Sequence, residues 1–211
     1  MTRRETAFDE VFDSQATFRA LLDCMARPGT VGELPRADYQ AAPHAFCSPA
    51  LSILKTLVDH RVTFSVAGAS GRADWIEYLR LNLSAPFQDA DAADYVLFEG
   101  SMYHNDFSRL KLGSLEFPES SATAILSVAA LSGRRSAGSP SAGTDAPSCD
   151  LSLTGPGVRD RENLAVRGFD PRYVEARARA NQLFPMGIDL LLVDANGRVA
   201  GLPRTSRVEV V

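Results

Sequence analysis

Two arginines stand beside prolines in predicted turns, where a stiff backbone can hold a guanidinium group in place. Arg27 precedes Pro28 at the end of the first predicted helix, and Arg204 lies between Pro203 and Thr205. A planar guanidinium can bind a carboxylate or phosphoryl group through two parallel hydrogen bonds. It can equally tie a helix end to a loop, because its five N–H donors can bond backbone carbonyls. The residue types therefore predict either an anion or partner site or a structural tie.

Two acidic residues stand at positions where a carboxylate needs a specific partner. Glu119 follows Pro118 just before a predicted strand, so it either caps that element or contacts a partner. Asp189 lies beside an apolar strand, and a carboxylate buried there must be paired or hydrogen-bonded. No residue is assigned a catalytic role. The residues predicted to bind an anion or a partner are Arg27, Glu119, Asp189, Arg204 and Thr205.

The compact motifs of several enzyme classes are absent from the sequence. It has no GxxxxGKS or GxxxxGKT loop, no GxGxxG, no HExxH and no GxSxG. Gly155-Pro156-Gly157 follows a predicted strand, but its proline lacks an amide that would bind phosphate, so a tight turn is the favoured interpretation. The three histidines are isolated from one another and the three cysteines form no CxxC. This predicts no metal site, and cysteines kept reduced in the cytoplasm.

Composition excludes further classes. The chain has 211 residues, a formal net charge of −4, 45% hydrophobic residues and 23% charged residues. A net negative charge argues against a nucleic-acid-binding protein, which carries a basic face. The N-terminal residues contain no apolar signal segment, and no apolar run approaches the roughly 20 residues that span a membrane. Lys55 and Lys111 are the two lysines, so few amines are available for a Schiff base.

The first predicted helix covers 8–25 and carries an apolar stripe at spacings of three and four residues. Gln15 and Arg19 share its polar face, which is either solvated or a contact surface for another subunit. Further helices are predicted at 48–59, around Trp75, and at 171–183. The stripe consists of Phe8, Val11, Phe12, Phe18, Leu21, Leu22 and Met25.

Strands are predicted at 62–66, 95–98, 124–128, 149–153 and 188–193. The runs at 95–98 and 124–128 are continuously apolar, which is typical of strands buried on both faces. Asn196-Gly197 predicts a hairpin between the strand at 188–193 and a return strand through Val199. The stretch 101–117 is left unassigned. The intermixed elements indicate an α/β fold: a single domain over 1–211, a mixed sheet flanked by helices, and a flexible loop at about 132–148.

Four segments spread along the chain together resemble the PhnH family, a subunit of the carbon–phosphorus lyase core complex of phosphonate metabolism. They are FDSQATFRALLDCMARPGTV at 12–31, FPESSAT at 117–123, LTGPGV at 153–158 and LFPMGIDLLLVDANGRVAGLPRT at 183–205. Each segment alone is a weak signal, but they occur in the family's order and span almost the whole sequence.

The resemblance implies a fold similar to the large domain of pyridoxal-phosphate-dependent transferases, without the cofactor site and with no cofactor of its own. It implies a homodimer when the protein is alone, and association with the other core subunits in the cell. That complex transfers a phosphonate to the ribose C1 of ATP and releases adenine, so phosphonate or ATP is a candidate ligand within it. The expected role is that of an accessory subunit that is not catalytic alone. The alternative is a stand-alone enzyme that uses Asp, Glu and Arg on a phosphorylated or carboxylate substrate.

Overall fold

The computed structural model describes residues 8–37, 39, 46–68, 72–133 and 148–211. These residues form three layers: three helices, a central mixed sheet, and a second sheet with a fourth helix beside it. The α-helices are α1 (Phe12–Ala26), α2 (Ser48–Leu57), α3 (Arg72–Asn82) and α4 (Arg172–Ala180). The strands are β1 (Gly32–Glu33), β2 (Phe64–Ala67), β3 (Tyr95–Glu99), β4 (Thr123–Val128), β5 (Ala130–Ser132), β6 (Ser148–Thr154), β7 (Glu162–Arg167), β8 (Asp189–Asp194), β9 (Arg198–Leu202) and β10 (Arg207–Val210).

The central sheet has the strand order β1-β9-β8-β4-β3-β2. Strands β2, β3, β4 and β8 are parallel, whereas β9 returns antiparallel to β8. The predicted mixed sheet and the hairpin at Asn196-Gly197 are therefore confirmed. Register aligns Tyr95, Thr123 and Asp189, so Asp189 lies at the edge where the parallel strands begin.

The second sheet is antiparallel, with the order β10-β6-β7-β5. Only β6 was predicted from the sequence. Strands β5 and β10 are short, and β7 alternates buried and partly exposed residues, so none of them has the long apolar run that identifies β3 and β4. The same is true of the two-residue strand β1.

The central sheet separates two apolar cores. On one face, α1, α2 and α3 pack against it, with Trp75 and Ile53 fully buried. On the other face, the second sheet and α4 enclose a cluster of aromatic rings. The Tyr173 ring lies 4.9 Å from that of Phe107 and 6.1 Å from that of Phe98, both in edge-to-face geometry. Burial of both faces explains the continuous apolar runs of β3 and β4.

Helix α1 differs from its prediction in start and orientation. It begins at Phe12, and the apolar stripe does not face the core as a unit. Thr17, Leu21 and Cys24 point inward, whereas Phe12 and Leu22 are 72% and 53% exposed. The cause is a close approach to β9, where a Cβ on Gly201 would lie 2.8 Å from the Met25 sulfur and 2.9 Å from the Cys24 carbonyl carbon. The inward side of α1 therefore carries Leu21 and Cys24 and turns Met25 towards Gly201, while Phe12 and Leu22 remain outside.

Several boundaries also differ. Helix α4 ends at Ala180 instead of extending to 183, and the unassigned stretch contains a short 3-10 helix, Asn105–Arg109. Of the loop predicted at 132–148, Ser132 ends β5 and Ser148 begins β6, and residues 134–147 lie outside the described residues. No helix in the described part of the chain is long and apolar enough to cross a membrane.

Asp170 joins the loop after β3 to the start of α4. Its carboxylate accepts hydrogen bonds from the Tyr103 amide at 3.0 Å, the Arg172 amide at 3.0 Å and the Arg172 guanidinium at 2.6 Å. The side-chain bond from Arg172, helped by these amides and opposed by partial burial, lowers the pKa of Asp170 to about 2. The carboxylate is 13% exposed, whereas Arg172 is 61% exposed, so solvent weakens the pair.

We expect Asp170→Asn to destabilise the protein at pH 7 by about 1–2 kcal/mol, after allowance for that screening. Because the pKa of Asp170 is lower in the folded state, its contribution is present above the unfolded pKa and is lost as pH falls from about 4 to about 2. Urea unfolding at pH 7 and pH 2.5 measures this. Asp91→Asn, which removes an exposed partner of Arg109, is the matched control. Equal losses for Asp170→Asn at both pH values would contradict the assignment.

Candidate functional site

Arg204 and Asp189 form a bidentate ion pair at the edge where the parallel strands begin. The Arg204 Nη2 lies 2.6 Å from Oδ2 of Asp189, and Nε lies 3.3 Å from Oδ1 and 3.2 Å from Oδ2. The Arg204 backbone amide donates to the same carboxylate at 2.7 Å. The two side chains are only 16% and 19% exposed, so the pair is largely desolvated. The expectation that a buried Asp189 needs a partner is confirmed.

The same guanidinium ties three segments together. Its Nη1 donates to the carbonyl of Pro118 at 2.8 Å and to that of Pro185 at 3.5 Å. Arg204 thus links the turn after β9 to the loops that precede β4 and β8. Of the two roles left open by the sequence, these contacts favour the structural tie, because most of the donors are already used within the chain.

The structure gathers four of the five predicted residues in one region. Glu119 lies exposed one residue beyond Pro118, and Thr205 is exposed next to Arg204. Arg27 lies apart, at the C-terminal end of α1, where its exposed guanidinium pairs with Asp23.

Beside Arg27, α1 ends against the turn between β6 and β7. A Cβ on Gly157 would lie 2.2 Å from the Ala26 carbonyl oxygen, and Gly157 has φ +81°. Only glycine fits such a close approach at a positive φ. Gly155-Pro156-Gly157 is therefore a tight turn, as predicted.

Arg177 is a buried cation that the sequence did not identify. It is 3% exposed, and its guanidinium donates to the carbonyls of Leu202, Pro203 and Ser206, in the turn that carries Arg204. These acceptors are neutral oxygens, and its Nε has no hydrogen-bond partner. Burial, offset in part by the charge of Asp189, lowers the pKa of Arg177 to about 10. One sequence signal could have identified Arg177. It lies four residues after the buried Tyr173, and this spacing places its charge on the apolar face of α4.

A cavity of about 590 Å³ lies between α4, the turn at 203–206 and β10. We name it the α4–β10 cavity. Its volume falls within the range of small-molecule sites. Its lining combines charged and polar groups with apolar ones, which come from Phe184, Pro156, Ala178 and Val208. The lining residues include Arg177, Asn181, Phe184, Arg204, Thr205 and Arg207.

A second exposed feature is the outer side of α1, which carries large apolar side chains. Val11 is 70% exposed, Phe12 72%, Phe18 47% and Leu22 53%. We name these four residues the α1 face. Phe18 and Leu22 also border a groove of about 140 Å³ that reaches Leu191 and Asp189 at the edge of the central sheet. Contiguous exposed apolar side chains of this size are typical of a protein–protein contact.

These features define an α/β protein with an internal ionic tie, a basic cavity and an apolar helix face. The chain belongs to the bacterial phosphonate metabolism protein (PhnH) family, whose model matches residues 6–209. It is 32% identical over 202 residues to the alpha-D-ribose 1-methylphosphonate 5-triphosphate synthase subunit PhnH of Rhizobium meliloti (strain 1021), covering 95% of this chain and 92% of that protein. It is also 32% identical over 196 residues to the putative C-P lyase subunit protein HtxG of Stutzerimonas stutzeri, covering 93% and 86%. The resemblance drawn from the four segments is confirmed.

We expect Arg204→Lys to lower stability by about 2 kcal/mol, or about 4–8 °C in melting temperature, because lysine keeps the charge but cannot make the forked contacts. Thermal unfolding followed by circular dichroism measures this. Arg27→Lys is the matched control and should change stability by less than about 0.5 kcal/mol, since its ion pair is exposed. Equal melting temperatures for the two variants would show that the Arg204 contacts contribute little to the fold.

Proposed function

We propose that this chain is an accessory subunit of a carbon–phosphorus lyase assembly, and that it supports transfer of a phosphonate to the ribose C1 of ATP with release of adenine. Membership of the PhnH family carries the proposal. It is supported by the two relatives, one named as a subunit of a ribose methylphosphonate triphosphate synthase and the other as a putative C-P lyase subunit.

An accessory role fits the chemistry of the described residues better than independent catalysis. A free nucleophile or base is needed for the stand-alone alternative, yet Asp189 and Arg204 neutralise each other and bond to the backbone. Cys47 stands at the start of α2, where a helix end favours a thiolate, but burial raises the pKa of its thiol. Asp189 and Arg204 are thus engaged with each other, and Cys47 is held in its unreactive thiol form, which supports an accessory role.

We also propose that the subunit works without a cofactor of its own. Lys55 lies within α2, and Lys111 places its ammonium nitrogen 2.5 Å from Oδ1 of Asp94. Although burial acts to raise it, the pKa of Asp94 is lowered by hydrogen bonds from Lys111 and Thr63. The contact with Asp94 occupies the Lys111 nitrogen, which would have to be free to form a Schiff base. A cytoplasmic location is supported by three cysteines that all remain unpaired.

For the protein alone we propose a homodimer in which the α1 face contacts a second copy of itself. From Val11, the residues Gln15, Phe18 and Leu22 follow at spacings of four, three and four, and all four are exposed. This is the seam of a helix pair, with one polar position in an otherwise apolar row. A glutamine side chain both donates and accepts hydrogen bonds, so Gln15 can pair with its own symmetry mate across a two-fold axis.

Charge favours an antiparallel pair. The residues around the start of α1 are acidic, whereas its second half has a basic excess. A two-fold axis across the helix brings the acidic half of one copy beside the basic half of the other, and it also opposes the two helix dipoles. The acidic residues are Asp9, Glu10 and Asp13, and the second half has Arg19 and Arg27 against Asp23.

We expect the double variant Phe18→Glu/Leu22→Glu to be a folded monomer, because charges placed in the seam face each other across the axis. Size-exclusion chromatography with light scattering measures the mass. Leu81→Glu on α3 is the matched control, since Leu81 is 80% exposed and lies outside the α1 face. A parent protein that is monomeric at every concentration, or a double variant that remains dimeric, would remove this interface.

The assembly role is tested in a bacterium whose native gene for this subunit is deleted. With a tagged copy restored, the chain should co-purify with the other carbon–phosphorus lyase subunits and should permit growth on methylphosphonate as sole phosphorus source. Growth on phosphate is the control for general fitness. If the tagged chain supports growth on methylphosphonate yet is recovered without other subunits, the accessory role is wrong and a stand-alone enzyme is favoured.

A further inference from the structure

Arg177 carries a buried positive charge that the chain compensates only at a distance. Its guanidinium bonds to carbonyls and to the Ser206 hydroxyl, all of them neutral. Asp189 is the nearby acid, and its carboxylate is already bonded on both oxygens by Arg204. A buried charge without a contacting counter-charge is costly. Such a group calls for a physical explanation, and an anion in the adjoining cavity would provide one.

The α4–β10 cavity has the charge to receive an anion. Arg177, Arg204 and Arg207 line it, against the single acidic lining residue Glu209. Asp189 lies behind Arg204 and adds a second negative charge, so three arginines face two carboxylates and the net charge is +1. Low-dielectric walls strengthen the attraction of an anion to such a cluster relative to bulk water.

We propose that the α4–β10 cavity binds the phosphoryl oxyanion of a small organophosphorus compound, with Arg207 and Thr205 as contact groups and Arg177 as a charged wall. That the compound is organophosphorus, and not another anion, rests on the function proposed above. Methylphosphonate and inorganic phosphate share the recognised group, and they differ in the substituent that would face the apolar ring of Phe184.

The contact groups are free to reach a ligand. The Arg207 side chain is 78% exposed, and its ion pair with Glu209 at 2.9 Å is a surface pair of the kind that contributes little to stability. Thr205 is an exposed residue that lines the same cavity. A tetrahedral phosphoryl oxyanion offers three or more oxygens, so the guanidinium can bind two while the hydroxyl binds a third; a carboxylate has two oxygens, which the guanidinium alone can occupy.

Arg177 acts from behind the surface. Its guanidinium fixes the turn at 203–206, and that turn holds Thr205 and the first residue of β10 in place. Arg177 is therefore a positioning residue that also supplies charge. Replacing it would disturb the turn as well as the field, so Arg207 and Thr205 provide the cleaner variants.

Titration calorimetry of the isolated chain with methylphosphonate, and separately with inorganic phosphate and acetate, tests the proposal. We expect both phosphorus anions to bind, with acetate at least about tenfold weaker. Arg207→Gln and Thr205→Val should each weaken binding about tenfold, the scale of one charge-assisted hydrogen bond. Arg109→Gln is the matched control, because Arg109 is 64% exposed and pairs with an exposed aspartate.

Absence of binding by the parent protein, or equal binding by Arg207→Gln, Thr205→Val and the parent, would overturn the site. Acetate binding as tight as phosphate binding would overturn the phosphoryl assignment. The outcome is separable from that of the assembly test, since calorimetry uses the chain alone. If the chain binds methylphosphonate but is recovered without other subunits, the site is supported and the accessory role is wrong. If the chain co-purifies with the other subunits but does not bind methylphosphonate, the accessory role is supported and the site is wrong.

Discussion

The passage of the chain from β9 to β10 depends on two guanidinium groups. Strand β9 belongs to the central sheet and β10 to the second sheet, so the turn at 203–206 sets how the two sheets meet. Arg177 bonds that turn from α4, and Arg204 bonds from the turn to the loops before β4 and β8. Both cations donate to backbone carbonyls of the turn and of the loops beside it. The charges of the site are thus also what holds the second layer in place.

A buried carboxylate performs the same task where the chain crosses from β4 to β5. Asp194 ends β8 and is fully buried, and it accepts hydrogen bonds from the amides of Leu131, Asn196 and Arg198. It therefore joins β5, which follows the crossing from β4, to the hairpin between β8 and β9. Ionic groups thus fix the crossings from β4 to β5 and from β9 to β10, whereas the faces of the sheet are held by apolar packing. Helix α1 packs closely on β9 at Gly201, and several of its large apolar side chains remain exposed.

The sequence predicted those elements whose signal is local. Strands β3, β4 and β8 have apolar runs, α2 opens with Ser48-Pro49, and Asn196-Gly197 marks the hairpin. The orientation of α1 was not predictable, because helical spacing does not reveal which side of a broad apolar stripe meets a glycine on a distant strand. Arg177 was missed for a related reason: its acceptors lie more than twenty residues along the chain, and no local pattern identifies them. Pairing of Arg204 with Asp189 is likewise a product of topology.

Strand β7 fixes the positions of β5 and β6, and therefore of the two ends of the sequence that connects them. It pairs with both neighbours, placing Ser132 opposite Ala165 and Ser148 opposite Arg167. The two ends of the intervening sequence are therefore positioned by backbone hydrogen bonds that do not involve that sequence. Because β5 and β6 lie on opposite edges of β7, these two ends are held about two strand spacings apart, roughly 10 Å.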